Sequence, residues 1–167
     1  MKRILVLLLL AVLMLSPLLL ESCGDNDLKL QKKAALLQMQ IDSVKTDLTP
    51  GLGEFMNTVQ LHHAKLWFAG TKKNWKLANY EIGELRETFE QAKKVETTRP
   101  EVKSIPIIYP PLDSLQNSID TKDLAAFKKN FKFLTNTCNT CHTDNHYEFN
   151  VIKIPSAPPV TNQEFKP

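Results

Sequence analysis

Apolar positions along this chain recur at intervals of three and four rather than alternating one for one, which predicts an all-α chain. Leu30, Ala34, Leu37, Ile41, Val44 and Leu48 form a heptad seam on a helix over about 28–48, with Ala34, Ile41 and Leu48 at a and Leu30, Leu37 and Val44 at d. "TPGLG" at 49–53 breaks it. A second helix, over 52–69, ends on Gly70 as its C-cap. A third opens after Asn74 as N-cap and carries the stripe Ala78, Ile82, Leu85, Phe89 and Ala92. Its glutamates 81, 84, 87 and 90 read as an outer, solvated acidic stripe. The turn "GTKKN" makes these two helices antiparallel neighbours.

Between Thr97 and Pro111 four prolines predict a long crossover loop. A short helix with Leu112, Leu115 and Ile119 on one side follows. Asp120 or Thr121 then caps a last helix whose stripe is Leu124, Phe127, Phe131, Leu134, Cys138 and Cys141. From Phe149 onward the prolines at 155, 158 and 159 predict an extended, mostly uncovered tail. The expected architecture is an antiparallel four-helix bundle with an N-terminal leader helix and a long Pro-rich crossover loop. The heptad seam has two readings: a stalk that pairs with a second copy as a homodimer, or an amphipathic helix packed on its own domain.

The first segment has another purpose. Lys2 and Arg3 precede an apolar run from Ile4 to Leu20, the form of a secretory signal. At about 17 residues the run is at the lower limit for a membrane span. "LESC" at 20–23 resembles a bacterial lipobox, which implies that Cys23 is lipidated and tethers an exported protein to a bacterial membrane, on its periplasmic or cell-surface side. The expected division is a signal peptide at 1–22, an anchor-proximal helix or stalk at 23–49, a helical domain at 50–148 and a tail at 149–167. A formal net charge of +3, with lysines interleaved among acids, gives no strong field for nucleic acid.

The chain has three cysteines, and two fall in "CNTCH", residues 138–142. Three chemistries compete for that motif. Zinc would use Cys138, Cys141, His142 and His146, but zinc sites draw their ligands from separated pairs, and consecutive helical positions spread by about 100°. A redox disulfide is expected to open a helix after a strand, and here the pair closes a helix in an all-α chain. Covalent haem needs two thiols for the vinyl groups and an adjacent histidine for the iron, in an exported protein. Haem c, one group, is the expected cofactor, held by Cys138 and Cys141.

A four-helix bundle with a single CNTCH on its last helix resembles the class II c-type cytochromes, which include cytochrome c-prime and its low-spin, Met-ligated relatives. The resemblance spans about residues 51–147. It implies that His142 is the proximal axial ligand and that Met56, near the start of the first bundle helix, is a candidate distal ligand. His63 is an alternative: it lies on the face of Met56 and about 10.5 Å further along the axis. His62, about 120° from Met56 around that helix, is a weaker one. An open distal side is the remaining option. Trp67, Phe68, Trp75, Phe127 and Phe131 read as pocket wall or core, Lys65, Arg86 and Lys128 as cations able to pair the propionates, and His146 as a propionate partner.

The expected function is single-electron transfer to an unspecified redox partner at the outer face of the membrane. No general acid/base set is visible, so no enzyme activity is expected. The alternatives are a gas-binding or sensing haem protein with an open distal site, and a haem-free helical lipoprotein with a structural role.

Overall fold

The computed structural model describes residues 25–45 and 48–167. The signal segment, Cys23 and the lipobox lie outside them. The described residues are all-helical, with no strand among them, and no helix among them is long and apolar enough to cross a membrane. The chain divides into two compact units at Thr49/Pro50.

In the first unit, residues 25–45 are one helix, α1. Its seam residues Leu30, Leu37, Ile41 and Val44 are all exposed.

The second unit contains α2 (Leu52–Thr71), α3 (Trp75–Val95), a 3₁₀ helix (Pro100–Ile108), α4 (Tyr109–Asp120) and α5 (Leu124–Asp144). Helix α2 packs chiefly on α3 and α4 on α5; α3 meets α4, α2 meets α5, and the 3₁₀ helix lies against α5 and α3. Leu66, Ala69, Ala78, Ile82, Leu85, Leu112, Leu115, Phe127, Phe131 and Leu134 are all but sealed from solvent and form the centre of the core. The Phe127 ring lies 6.0 Å from those of Trp75 and Phe131 and 6.4 Å from that of Trp67, an aromatic cluster spanning three helices.

The ends of α2, α4 and α5 share one closure. In each of three places, a residue with left-handed backbone stands just beyond a helix: Lys73 at φ 60, Lys122 at φ 54 and His146 at φ 64. The next amide closes the last turn in every case: Asn74 to Ala69, Asp123 to Ser118 and Tyr147 to His142. These are Schellman closures with a side chain where glycine is usual. After two of them the next residue caps a new helix. Asn74 accepts from the Leu77 amide, as expected, and Asp123 accepts from the amides of Ala125 and Ala126. Asp123 therefore takes the cap expected at Asp120 or Thr121.

Gly70 does not cap α2. It is the penultimate residue of that helix, whose C-cap is Lys72, and a Cβ on it would overlap three ring atoms of Phe127. Its role is to admit an aromatic ring rather than to adopt a special dihedral angle.

Three further expectations are corrected. The Pro-rich segment is not a loop. Pro100 opens the 3₁₀ helix, Pro110 and Pro111 occupy the first turn of α4, and prolines fit helix starts because no partner awaits the missing N–H there. Ile105 and Ile108 bury the segment against the core. Glu81 is not solvated but wholly buried, because position 81 lies three residues after Ala78 and four before Leu85 and so shares their face. Its Oε2 is 2.7 Å from His62 Nδ1, and its Oε1 is 2.9 Å from Lys65 Nζ, an ion-pair distance without hydrogen-bond geometry. The tail has no regular secondary structure, as expected, yet it is tied down. Phe165 is buried, with its ring 5.7 Å from that of Phe68, and Asn74 Nδ2 donates to the Lys166 carbonyl.

Candidate functional site

A cleft enclosing about 240 Å³ opens where the core stripes of α2 and α5 change residue type. Toward the middle of the unit these stripes carry Leu66 and Ala69 on α2 and Phe127, Phe131 and Leu134 on α5. Toward the start of α2 and the end of α5 they carry Met56, His63, Cys138, Cys141 and His142, all of which line the cleft. Phe89 of α3, Ile105, Ile107 and Ile108 of the 3₁₀ helix, and Ile152 of the tail supply apolar walls.

Cys138 and Cys141 are half-buried free thiols. Burial pushes the Cys138 thiol up to about 12, with Cys141 adding to the effect, and burial and then Asp144 raise that of Cys141. Both are therefore protonated at neutral pH. A thiol–disulfide catalyst needs the opposite shift, which a helix N-terminus or a cation would supply. These cysteines sit in the C-terminal half of α5.

His142 is half-buried, and its Nδ1 donates to the backbone carbonyl of Asn150. That bond sets the tautomer and leaves the Nε2 lone pair available as a ligand.

His63 is buried on α2 with its ring 4.4 Å from that of Phe131. The Thr135 hydroxyl donates to the Phe131 carbonyl, so at 2.9 Å it accepts from His63 Nε2–H. The nitrogen by which histidine most readily reaches an iron is thus committed to α5, and only Nδ1 carries a lone pair. His62 does not line the cleft; Glu81 holds it on the side of α2 that meets α3.

Burial lowers the His63 pKa from 6.5 to about 4. Between those values the unfolded chain takes up a proton that the folded chain refuses. Stability is therefore full above pH 6.5 and falls as pH drops toward 4, by about 3 kcal/mol. Urea unfolding of the wild-type chain and of His63→Gln at pH 7 and pH 4.5 will show this: the variant lacks that part of the slope.

The polar edge of the cleft was not legible in the sequence. Arg99 donates to Glu101 through Nε and one terminal nitrogen, and that terminal nitrogen also donates to the Tyr147 hydroxyl at 2.9 Å. Tyr147 in turn donates to Glu101 at 2.8 Å. Arg99 and these bonds hold the Glu101 carboxyl down at about 2. All three residues line the cleft. The cations singled out in the sequence do not: Lys65 is paired with Glu81, Arg86 with Asp113, and Lys128 lies exposed on α5. His146 is exposed at the left-handed position after α5 and also lies outside the lining. Among the described residues no group of three or more His, Cys, Asp and Glu side chains is placed to hold a metal ion.

No family model matches the chain, and neither a curated protein nor a solved structure matches it.

The arrangement fits a haem. It combines two thiols one helical turn apart, a histidine with an oriented ring and an uncommitted nitrogen, a thioether, and apolar walls with one polar edge.

Proposed function

We propose that this chain is an exported, lipid-anchored monohaem c-type cytochrome of the class II kind, its haem carried by α2–α5 as an antiparallel four-helix bundle with α1 as leader helix. The observation that carries the reading is that Cys138, Cys141, His142 and Met56 line one apolar cleft, with His142 Nδ1 engaged and its Nε2 free. Haem in this site supplies one-electron oxidation and reduction. The chain's own residues do the rest. Cys138 and Cys141 would hold the group covalently, with His142 as the proximal ligand and Met56 as the distal candidate. Ile105, Ile108 and Phe89 exclude water, and Arg99 and Tyr147 are the groups at hand for its carboxylates. Export to the outer face of a bacterial membrane, the anchor at Cys23, a redox partner protein, pairing of two copies through the seam of α1, and the absence of enzyme activity belong to the same proposal. Protein matured with cytochrome c assembly factors should give a pyridine haemochrome spectrum equivalent to one haem per chain. Absence of covalent haem there overturns the reading.

A second reading, gas binding at an open distal side, is favoured by one feature. A second hollow of about 280 Å³ lies between α2 and the tail and shares Gln60, His63 and Ile152 with the cleft, a route by which a small ligand could reach the distal wall. Carbon monoxide separates the two. With Met56 on the iron, ferrous protein binds it slowly, and Met56→Ala speeds binding at least about ten-fold, the equivalent of about 1.4 kcal/mol. Fast binding by the wild-type protein, unchanged in the variant, selects the open site.

A further inference from the structure

The CNTCH motif accounts for the thiols and for the iron-facing nitrogen of His142, but not for what holds the other nitrogen. Nδ1 donates to the carbonyl of Asn150, a residue outside any helix. Asn150 is pinned from both sides. Upstream, its own amide donates to the Tyr147 carbonyl at 2.9 Å, and the Tyr147 amide donates to the His142 carbonyl at 2.7 Å. Downstream, Asn139 grips Ile152. Asn139 Nδ2 donates to the Ile152 carbonyl at 2.9 Å, and the Ile152 amide donates to Asn139 Oδ1 at 2.8 Å. One side-chain amide thus pairs with both peptide groups of one residue, like a single rung of a sheet. The pairing fixes which way the amide points, since only its oxygen can meet the Ile152 N–H.

Asn139 stands three residues before His142 on α5 and does not line the cleft. Its contact with the cleft wall is through the backbone of Ile152 alone. Its one visible effect is to hold Asn150–Ile152 so that a carbonyl meets His142. We propose that Asn139 is a positioning residue for the proximal ligand: through Ile152 it keeps the Asn150 carbonyl on Nδ1–H, which fixes the His142 tautomer and makes its Nε2 a stronger donor to iron. This rests on the haem reading above. A firm Nδ1–H···O=C bond raises ligand basicity and favours the ferric state, so loosening it raises the midpoint potential.

The test uses the full, haem-loaded chain as wild type, Asn139→Ala and Asn139→Asp. Aspartate retains an acceptor for the Ile152 amide, loses the donor and adds a negative charge that offsets part of the rise in potential; it carries the test where alanine yields no folded protein. Three quantities are read: covalent haem content, midpoint potential, and the exchange rate of the His142 ring N–H in the diamagnetic ferrous protein. Haem content stays at the wild-type value because both thiols and His142 remain. The potential rises in the alanine variant and by less in the aspartate variant. Ring N–H exchange quickens by about five- to ten-fold, as one weakened hydrogen bond implies. Haem-loaded variants with wild-type potential and wild-type exchange overturn the role of Asn139 alone. A wild-type chain that takes up no covalent haem overturns the haem reading, and this proposal with it.

Discussion

Replacing Cys138 and Cys141 together by alanine will abolish the covalent haem attachment proposed above, while the helical content of the chain stays near that of the wild type. The first half follows from the proposed attachment, in which each thiol forms one thioether and His142 alone would leave only a dissociable group. The second half follows from position. Both cysteines are half-buried at the cleft rather than within the sealed core of Phe127, Phe131 and Leu134. Truncating them enlarges a space that already exists, so the cost falls at the low end for large-to-small changes, about 1 kcal/mol each. Haemochrome spectra after acid–acetone extraction measure the first and far-ultraviolet circular dichroism the second. Each single substitution should leave one thioether and a shifted haemochrome band. Covalent haem persisting in the double variant would show that attachment lies elsewhere.

Gly70→Ala carries the largest expected effect on stability. In the interior of a helix this change ordinarily stabilises by about 0.5–1 kcal/mol. Here the sign reverses, because the new Cβ would stand only 2.1 Å from Cζ of Phe127, whose ring is fully buried against Trp67, Trp75 and Phe131. The ring has no empty space to enter, and overpacking of this kind costs about 3 kcal/mol. Chemical denaturation of Gly70→Ala, Phe127→Leu and the pair will test the cause. The smaller side chain relieves the overlap, so the double variant should lose less than the two single changes added together. Strict additivity would mean that the α2–α5 contact does not set the requirement for glycine.

The helices could be read from spacing because their stripes are long and regular. Ala78, Ile82, Leu85, Phe89 and Ala92 define α3 without help from any other part of the chain, and Asn74 caps it as a local rule requires. The three residues of CNTCH that the sequence singles out, Cys138, Cys141 and His142, do come together on one cleft, as neighbours on a single helix must. What stayed hidden depends on neighbours distant in sequence. Gly70 looks like a helix end until Phe127, 57 residues away, is brought against it. Glu81 looks like part of a solvated stripe until Lys65 and His62 approach from α2. Arg99, Glu101 and Tyr147 form the polar edge of the cleft from two segments that sequence spacing treats as connecting chain. The Pro-rich stretch misled for a different reason: prolines exclude a helix interior, yet they suit a 3₁₀ turn and the first turn of α4.

The composition of the tail has a consequence beyond its path. Between Ile152, gripped by Asn139, and Phe165, seated beside Phe68, the chain contains Pro155, Pro158 and Pro159. A flexible segment of that length would give up a great deal of conformational entropy on being laid down between two fixed points. Each proline removes part of that freedom before docking begins, about 0.4–1 kcal/mol where its dihedral suits the bound path. The residues that make the segment resemble an unstructured end are therefore the ones that lower the cost of docking it.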